Sequence, residues 1–184
     1  MTLPSYVAVV LGTALAYGVL FEVNTLLFSA LTFSAGVSWI FLPSGLRLAF
    51  ILVFGVSGAL GIALASIITS LLFFFEGNWQ SSIVTGLISG GAPLLARKFC
   101  VDFLGLGADL KGLNGLGLLK MAAVFAVVSP LLHQLWYLSQ GLTEDFVRST
   151  LVMALGDLVG SLVVLYLARW ALLSVAHWRK PRQP

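Results

Sequence analysis

The chain has 184 residues, 59% of them hydrophobic and only 9% charged, with a formal net charge of +3. A water-soluble domain carries about 25% charged residues, so an aqueous surface is excluded and lipid must be the solvent for most of the chain. A single cysteine, Cys100, excludes an internal disulfide and a cysteine-rich metal site, and in so apolar a chain the excess of basic residues serves orientation in a membrane rather than nucleic-acid binding.

The first apolar run extends from Pro4 to Phe21 and stops at Glu22-Val23-Asn24. No basic stretch precedes it, so it is expected as a retained span rather than a cleaved signal. The second runs from Thr25 to Leu42 and stops at Pro43-Ser44-Gly45, because proline biases the residue before it away from helix. The third, from Leu46 to Phe75, is long for one helix and contains Gly55-Val56-Ser57-Gly58-Ala59-Leu60-Gly61. A single tilted, kinked helix and two shorter pieces both fit it.

The fourth span covers Ser81 to Ala96, and a loop rich in glycine and charge follows, from Arg97-Lys98 through Asp102, Asp109 and Lys111 to Gly115. The fifth runs from Leu116 to Leu138. The sixth occupies 146–176, with Thr143 as the expected N-terminal cap and with Glu144 and Asp145 where a helix dipole favours negative charge. The expected fold is therefore an all-α integral membrane bundle, one domain over 1–184, with six spans and seven as the alternative count.

With the N-terminus inside, Arg47, Arg97, Lys98, Lys111, Lys120, Arg169, Arg179, Lys180 and Arg182 gather on the cytoplasmic side and Arg148 alone falls outside. This positive-inside pattern predicts that both termini are cytoplasmic. Trp79, Trp136 and Tyr137 suit an outer aromatic belt, and Trp170 and Trp178 an inner one. Gly86-Leu87-Ile88-Ser89-Gly90 and Gly156-Asp157-Leu158-Val159-Gly160 have the spacing that lets helix backbones approach closely.

Three residues carry chemistry into this apolar setting. Asp157 lies about a dozen residues into the sixth span, where an ionised carboxylate costs about 2.5–3.5 kcal/mol. It must pair, protonate or line a wet cavity. It is read either as a ligand contact or proton-coupled switch, or as a structural bond to a neighbouring helix. Arg47, in the first turn of the third span, either snorkels to lipid phosphate or pairs with Asp102, Asp109 or Asp157. His133 shares a helix face with Ser129 and Tyr137. It is either a polar ligand contact or an interfacial group near Glu144 and Asp145.

No enzyme reading stands. His133 and His177 fall on opposite sides of the membrane, which leaves a histidine zinc site unsupported. The glycine-rich stretch 105–115 lacks the ending of a phosphate-binding loop and follows no strand. Neither a cofactor nor a metal is expected.

The segment Trp39-Ile40-Phe41-Leu42-Pro43-Ser44-Gly45-Leu46-Arg47-Leu48-Ala49, with Leu52-Val53-Phe54-Gly55 after it, resembles the signature of MASE-type membrane-associated sensor domains. Met153-Ala154-Leu155-Gly156-Asp157-Leu158-Val159-Gly160 is similar to that family's element near its last helix, and the likeness covers roughly Thr25 to Leu172. The resemblance implies a bacterial inner-membrane sensor whose fold core includes Pro43, Ser44, Gly45, Arg47, Gly156, Asp157 and Gly160. Family members usually have about eight spans and a fused cytoplasmic kinase, cyclase or phosphodiesterase. This sequence reaches Pro184 without one, so a stand-alone module is expected, signalling to a membrane or cytoplasmic protein partner and taking a small-molecule ligand. Two alternatives are a substrate-binding subunit of a small-molecule or vitamin transporter, and an accessory subunit of a larger membrane complex docked through its glycine faces.

Overall fold

The computed structural model describes residues 2–107 and 114–178, with side chains described as far as Ala171. Asp109, Lys111, Arg179, Lys180 and Arg182, and the side chains of His177 and Trp178, lie outside the described residues. The rest is almost entirely helical: α1 Leu3–Phe28, α2 Pro43–Phe54, α3 Val56–Phe73, α4 Trp79–Phe103, α5 Gly115–Ser139 and α6 Phe146–Trp178. Four stretches are long and apolar enough to cross a membrane, Leu3–Leu31, Val56–Phe73, Gly115–Ser139 and Phe146–Ala171.

The second expected span is the main departure. Residues 25–42 do not form one helix. Helix α1 runs through Glu22 and Asn24 to Phe28, and a 3-10 turn at Ser29–Leu31 leads into an antiparallel hairpin. Its strands, β1 Thr32–Ser34 and β2 Val37–Ser38, pair Thr32 with Ser38 and Ser34 with Val37. An irregular link, 39–42, then leads to α2. Helix α1 continues because neither Glu22 nor Asn24 breaks a helix. Glu22 lies exposed, and Asn24 turns its side chain inward to accept a hydrogen bond from the Leu42 amide at 2.9 Å.

The long third run is two helices. Gly55 takes φ +57°, a left-handed value that suits a residue without Cβ, and ends α2 by donating its amide to the Ile51 carbonyl. At about 1.5 Å per residue, α2 is about 18 Å long, well short of the ~30 Å of a bilayer core. At the start of α6 the cap also differs from expectation. Asp145 Oδ1 accepts from the Arg148 amide at 2.9 Å, and Thr143 instead donates to the Ser149 hydroxyl.

Helices α1 and α3 run parallel. Gly61 of α3 lies against Val10 and Thr13 of α1, and twelve residues on, Phe73 lies beside Phe21 with ring centroids 5.8 Å apart. Short turns then make α4 antiparallel to α3 and α6 antiparallel to α5. The core between α2, α4, α5 and α6 is built from Leu48, Ala92, Ala96, Met121, Phe125 and Leu165. Outward faces carry a stripe of leucine and valine, including Leu11, Leu15, Val19 and Leu26 of α1, each more than half exposed. That surface suits acyl chains and not water.

Both glycine motifs are used inside the chain. A Cβ at Gly86 or Gly90 would strike the backbone of α3 at Ala63 and Ala59, so α3 and α4 meet there. A Cβ at Gly156 would strike the Ser38 carbonyl, and one at Gly160 the Phe41 carbonyl. The second motif is therefore a seat for the extended link rather than for another helix, and the Phe41 amide donates to the Gly156 carbonyl at 3.3 Å.

Candidate functional site

The link 39–42 and the start of α2 lie against α6 about a third of the way along it. Asp157 is eleven residues past Phe146, about 16 Å of helix rise and near the middle of a bilayer core. Ser44 ties the two together. Its hydroxyl lies 2.7 Å from the Phe41 carbonyl and 2.9 Å from the Asp157 carbonyl, and it accepts from the Ser161 hydroxyl at 3.3 Å. Gly45 has no room for a side chain, because a Cβ there would strike Val164. Pro43, Ser44 and Gly45 thus form the contact that Gly156 and Gly160 permit.

One turn on, Arg47 points into the bundle. It is 3% exposed and does not snorkel to a headgroup region. The reason is the irregular link. By laying the chain along α6 at Gly156 and Gly160 before α2 begins at Pro43, it places Arg47 deep in the molecule instead of at a cytoplasmic helix end. Its Nε and Nη2 donate to the Tyr17 hydroxyl at 3.3 and 3.0 Å, and Nη1 reaches the Ser129 hydroxyl at 3.5 Å. The guanidinium also sits over two rings, 5.1 Å from the Phe41 centroid and 5.6 Å from that of Tyr17.

The Asp157 carboxylate is fully buried, and neither oxygen has a hydrogen-bond partner among the described residues. Arg47 and Ser129 are the polar groups whose influence reaches it, yet no carboxylate lies within 4.0 Å of the Arg47 nitrogens among the described residues. Of the acids weighed from sequence, Asp157 is the one that faces Arg47. Asp102 is bound to Lys98 at 2.8 Å on the surface, and Asp109 lies outside the described residues. A buried cation and a buried anion thus lie near one another inside the bundle, with neutral hydroxyls around the first and, among the described residues, no hydrogen bond to the second.

His133 is 1% exposed and is not interfacial. Its Nδ1 lies 2.8 Å from the Ser129 carbonyl, which only accepts, so Nδ1 carries the proton. In the neutral ring Nε2 then accepts from the Ser89 hydroxyl at 3.3 Å, which in turn accepts from Ser66 at 2.8 Å. The chain Ser66, Ser89, His133 therefore has one consistent donor direction, from α3 through α4 to α5. No contact joins His133 to Glu144 or Asp145 among the described residues.

Tyr17, Phe41, Arg47, Thr85, His133 and Tyr137 face a common chamber of about 20 Å³, on the scale of a water molecule. The Thr85 hydroxyl is buried there beside Tyr137, with no hydrogen bond of ordinary geometry to it among the described residues. Sequence reasoning assembled Arg47, His133 and Asp157 but missed Tyr17, Ser66, Ser89 and Thr85. Nothing marks Tyr17 within its apolar run except a hydroxyl at mid-span, and its partner is thirty residues away. Among the described residues no three His, Cys, Asp or Glu side chains converge on a point that would hold a metal ion. The arrangement offers charge separation, hydroxyl donors and aromatic faces, which suit recognition of a polar group.

No protein-family description matches this chain, and neither the curated proteins nor the solved structures contain a match to it.

Proposed function

We propose that this chain is a membrane-embedded sensory or regulatory module of the MASE type, which responds to a small ligand or a partner and passes a helix displacement to a separate signalling protein. One observation carries the reading. The two segments bearing the resemblance, joined through Ser44 and Asp157 across 113 residues of sequence, interlock and bring Arg47 and Asp157 near one another without an ion pair between them. A cation and an anion kept apart at low dielectric define two arrangements, pair open and pair closed. A ligand that favours one shifts the population of the other.

In this reading the chain crosses a bacterial inner membrane six times, the second crossing being the hairpin, the link and α2 together. Both termini face the cytoplasm. Arg97 and Lys98 near the end of α4, Lys120 near the start of α5 and Arg169 late in α6 fall at the end of the bundle where α1 begins, which supports that orientation. Irregular backbone at membrane depth is tolerated where it packs against protein, and here the Ser38 and Phe41 carbonyls lie against Gly156 and Gly160 of α6.

The transporter-subunit reading has its own support in the broken second crossing, since discontinuous helices at mid-depth are a common way to build a substrate site. The accessory-subunit reading is less favoured, because both glycine faces are filled from within the chain.

Copurification from native membranes tests the proposal. A kinase, cyclase or phosphodiesterase should accompany the protein, and its output should change with Asp157→Asn at equal membrane levels of the variant. An inserted Asp157→Asn protein that leaves every copurifying enzyme's output unaltered overturns the sensory reading. A tightly held small molecule with no signalling enzyme moves the assignment to transport.

A further inference from the structure

Beside the chamber lies a second, larger cavity of about 260 Å³, between the end of α1, the hairpin and the end of α3. Its walls carry the rings of Phe21, Phe28, Phe41, Phe73 and Phe74, and Glu22 lines it from an exposed position on α1. The two cavities share Phe21, Gly36, Phe41 and Phe74. A wall of aromatic rings therefore separates an apolar vestibule from the chamber holding Arg47. Phe21 meets Phe74 edge-on at 5.6 Å and Phe41 edge-on at 6.4 Å, so the wall is a packed cluster.

We infer that the vestibule and the Arg47 chamber together form a binding site for a small monocarboxylate with an apolar body, which lies among the phenylalanines and directs its carboxylate past Phe41 to Arg47. The inference deepens the proposed function by naming the ligand class. Three observations carry it. Arg47 is a buried guanidinium whose direct bonds go only to neutral hydroxyls, so the planar fork that matches a carboxylate has no anion bonded to it. The adjoining volume is walled by five phenylalanines, with Glu22, Asn24, Thr25, Thr32 and Ser38 between them, and is slightly below the ~300–1,000 Å³ of sites for drug-sized ligands, which suits a compact molecule. The separating ring, Phe41, sits in the non-helical link between β2 and α2, is only partly buried, and lines both cavities.

The carboxylate would do at Arg47 what Asp157 does only from a distance. Binding would bond the guanidinium to the ligand and leave Asp157 to its neighbours, which couples occupancy to the seat of the link on Gly156 and Gly160. Glu22 opposes an anion, but it is exposed at the mouth, where solvent and salt screen it. Arg47 is buried and is not screened in the same way.

The test uses the full chain in zwitterionic nanodiscs and measures binding of hexanoate, hexylamine and hexanol against empty nanodiscs. Hexanoate should bind saturably, and Arg47→Gln should weaken it by about tenfold or more. Thr32→Trp, placed on the exposed strand beside the cavity, should fill the vestibule and weaken hexanoate similarly while the fold is kept, which guards against a variant that fails only by unfolding. Glu22→Gln should tighten hexanoate by about twofold to threefold. No saturable hexanoate binding, hexanol bound as tightly as hexanoate, or hexylamine binding that Glu22→Gln abolishes would each overturn the inference. Hexanoate bound by a protein whose Asp157→Asn variant leaves signalling unaltered would keep the carboxylate site and remove the sensory reading.

Discussion

Replacing Gly160 by alanine asks whether α6 is truly a seat for extended backbone. The added Cβ would meet the Phe41 carbonyl oxygen, its carbon at 2.5 Å and the Ser44 hydroxyl at 2.7 Å. Ordinary contact is about 3.5–4.0 Å, so the link must retreat by more than about 1 Å. Two of the three atoms are backbone and cannot rotate away. Overpacking of this kind costs about 1–3 kcal/mol, and the retreat also strains the Ser44 bond to the Asp157 carbonyl, worth about 0.5–1.5 kcal/mol. Alanine recovers about 0.5–1 kcal/mol as the better helix former. The balance is a net loss of about 2 kcal/mol, within a factor of two. Reversible unfolding in mixed micelles, followed by circular dichroism, measures it. Gly12→Ala is the control, because nothing lies within 4 Å of that position and no loss should follow. Equal stability of Gly160→Ala and Gly12→Ala would refute the seat.

Two more outcomes follow from the charges. Arg47→Met strips the buried carboxylate of its one cation and should lose about 3 kcal/mol in the same assay, while Arg47→Met combined with Asp157→Asn should recover part of that loss; strict additivity would mean that the two groups do not interact. Asp102→Asn breaks the surface bond to Lys98 and should change stability by less than about 1 kcal/mol, with an effect that fades as salt is raised.

The segments around Pro43 and around Asp157 were each legible as a motif, but their meeting in one contact was not. Asp157 stood out because a carboxylate is costly in lipid wherever it lies, a property of one residue and its depth. Arg47 was legible as a charge but misplaced. Its depth depends on where the helix that carries it begins, and the run 25–42 is apolar enough to read as a span whether it is helix or hairpin. Periodicity separates the two poorly in a run whose few non-apolar positions are only Thr, Ser and Gly. Tyr17 and Ser89 were missed because a hydroxyl costs little to place in a helix, so its presence signals nothing until a partner is known.

Composition and the order of the apolar runs determined that the protein lives in lipid, that its backbone must satisfy itself mainly through helices, and where most of those helices run, because the cost of an exposed amide or charge in oil is local and is incurred residue by residue. Tertiary structure decided that the second run folds back as a hairpin and half-helix, that glycines 156 and 160 receive that backbone, and that Arg47 confronts Asp157 without bonding it. Those outcomes depend on which surfaces meet across more than a hundred residues of chain, and the energy of a contact is set by both partners and written in neither one alone.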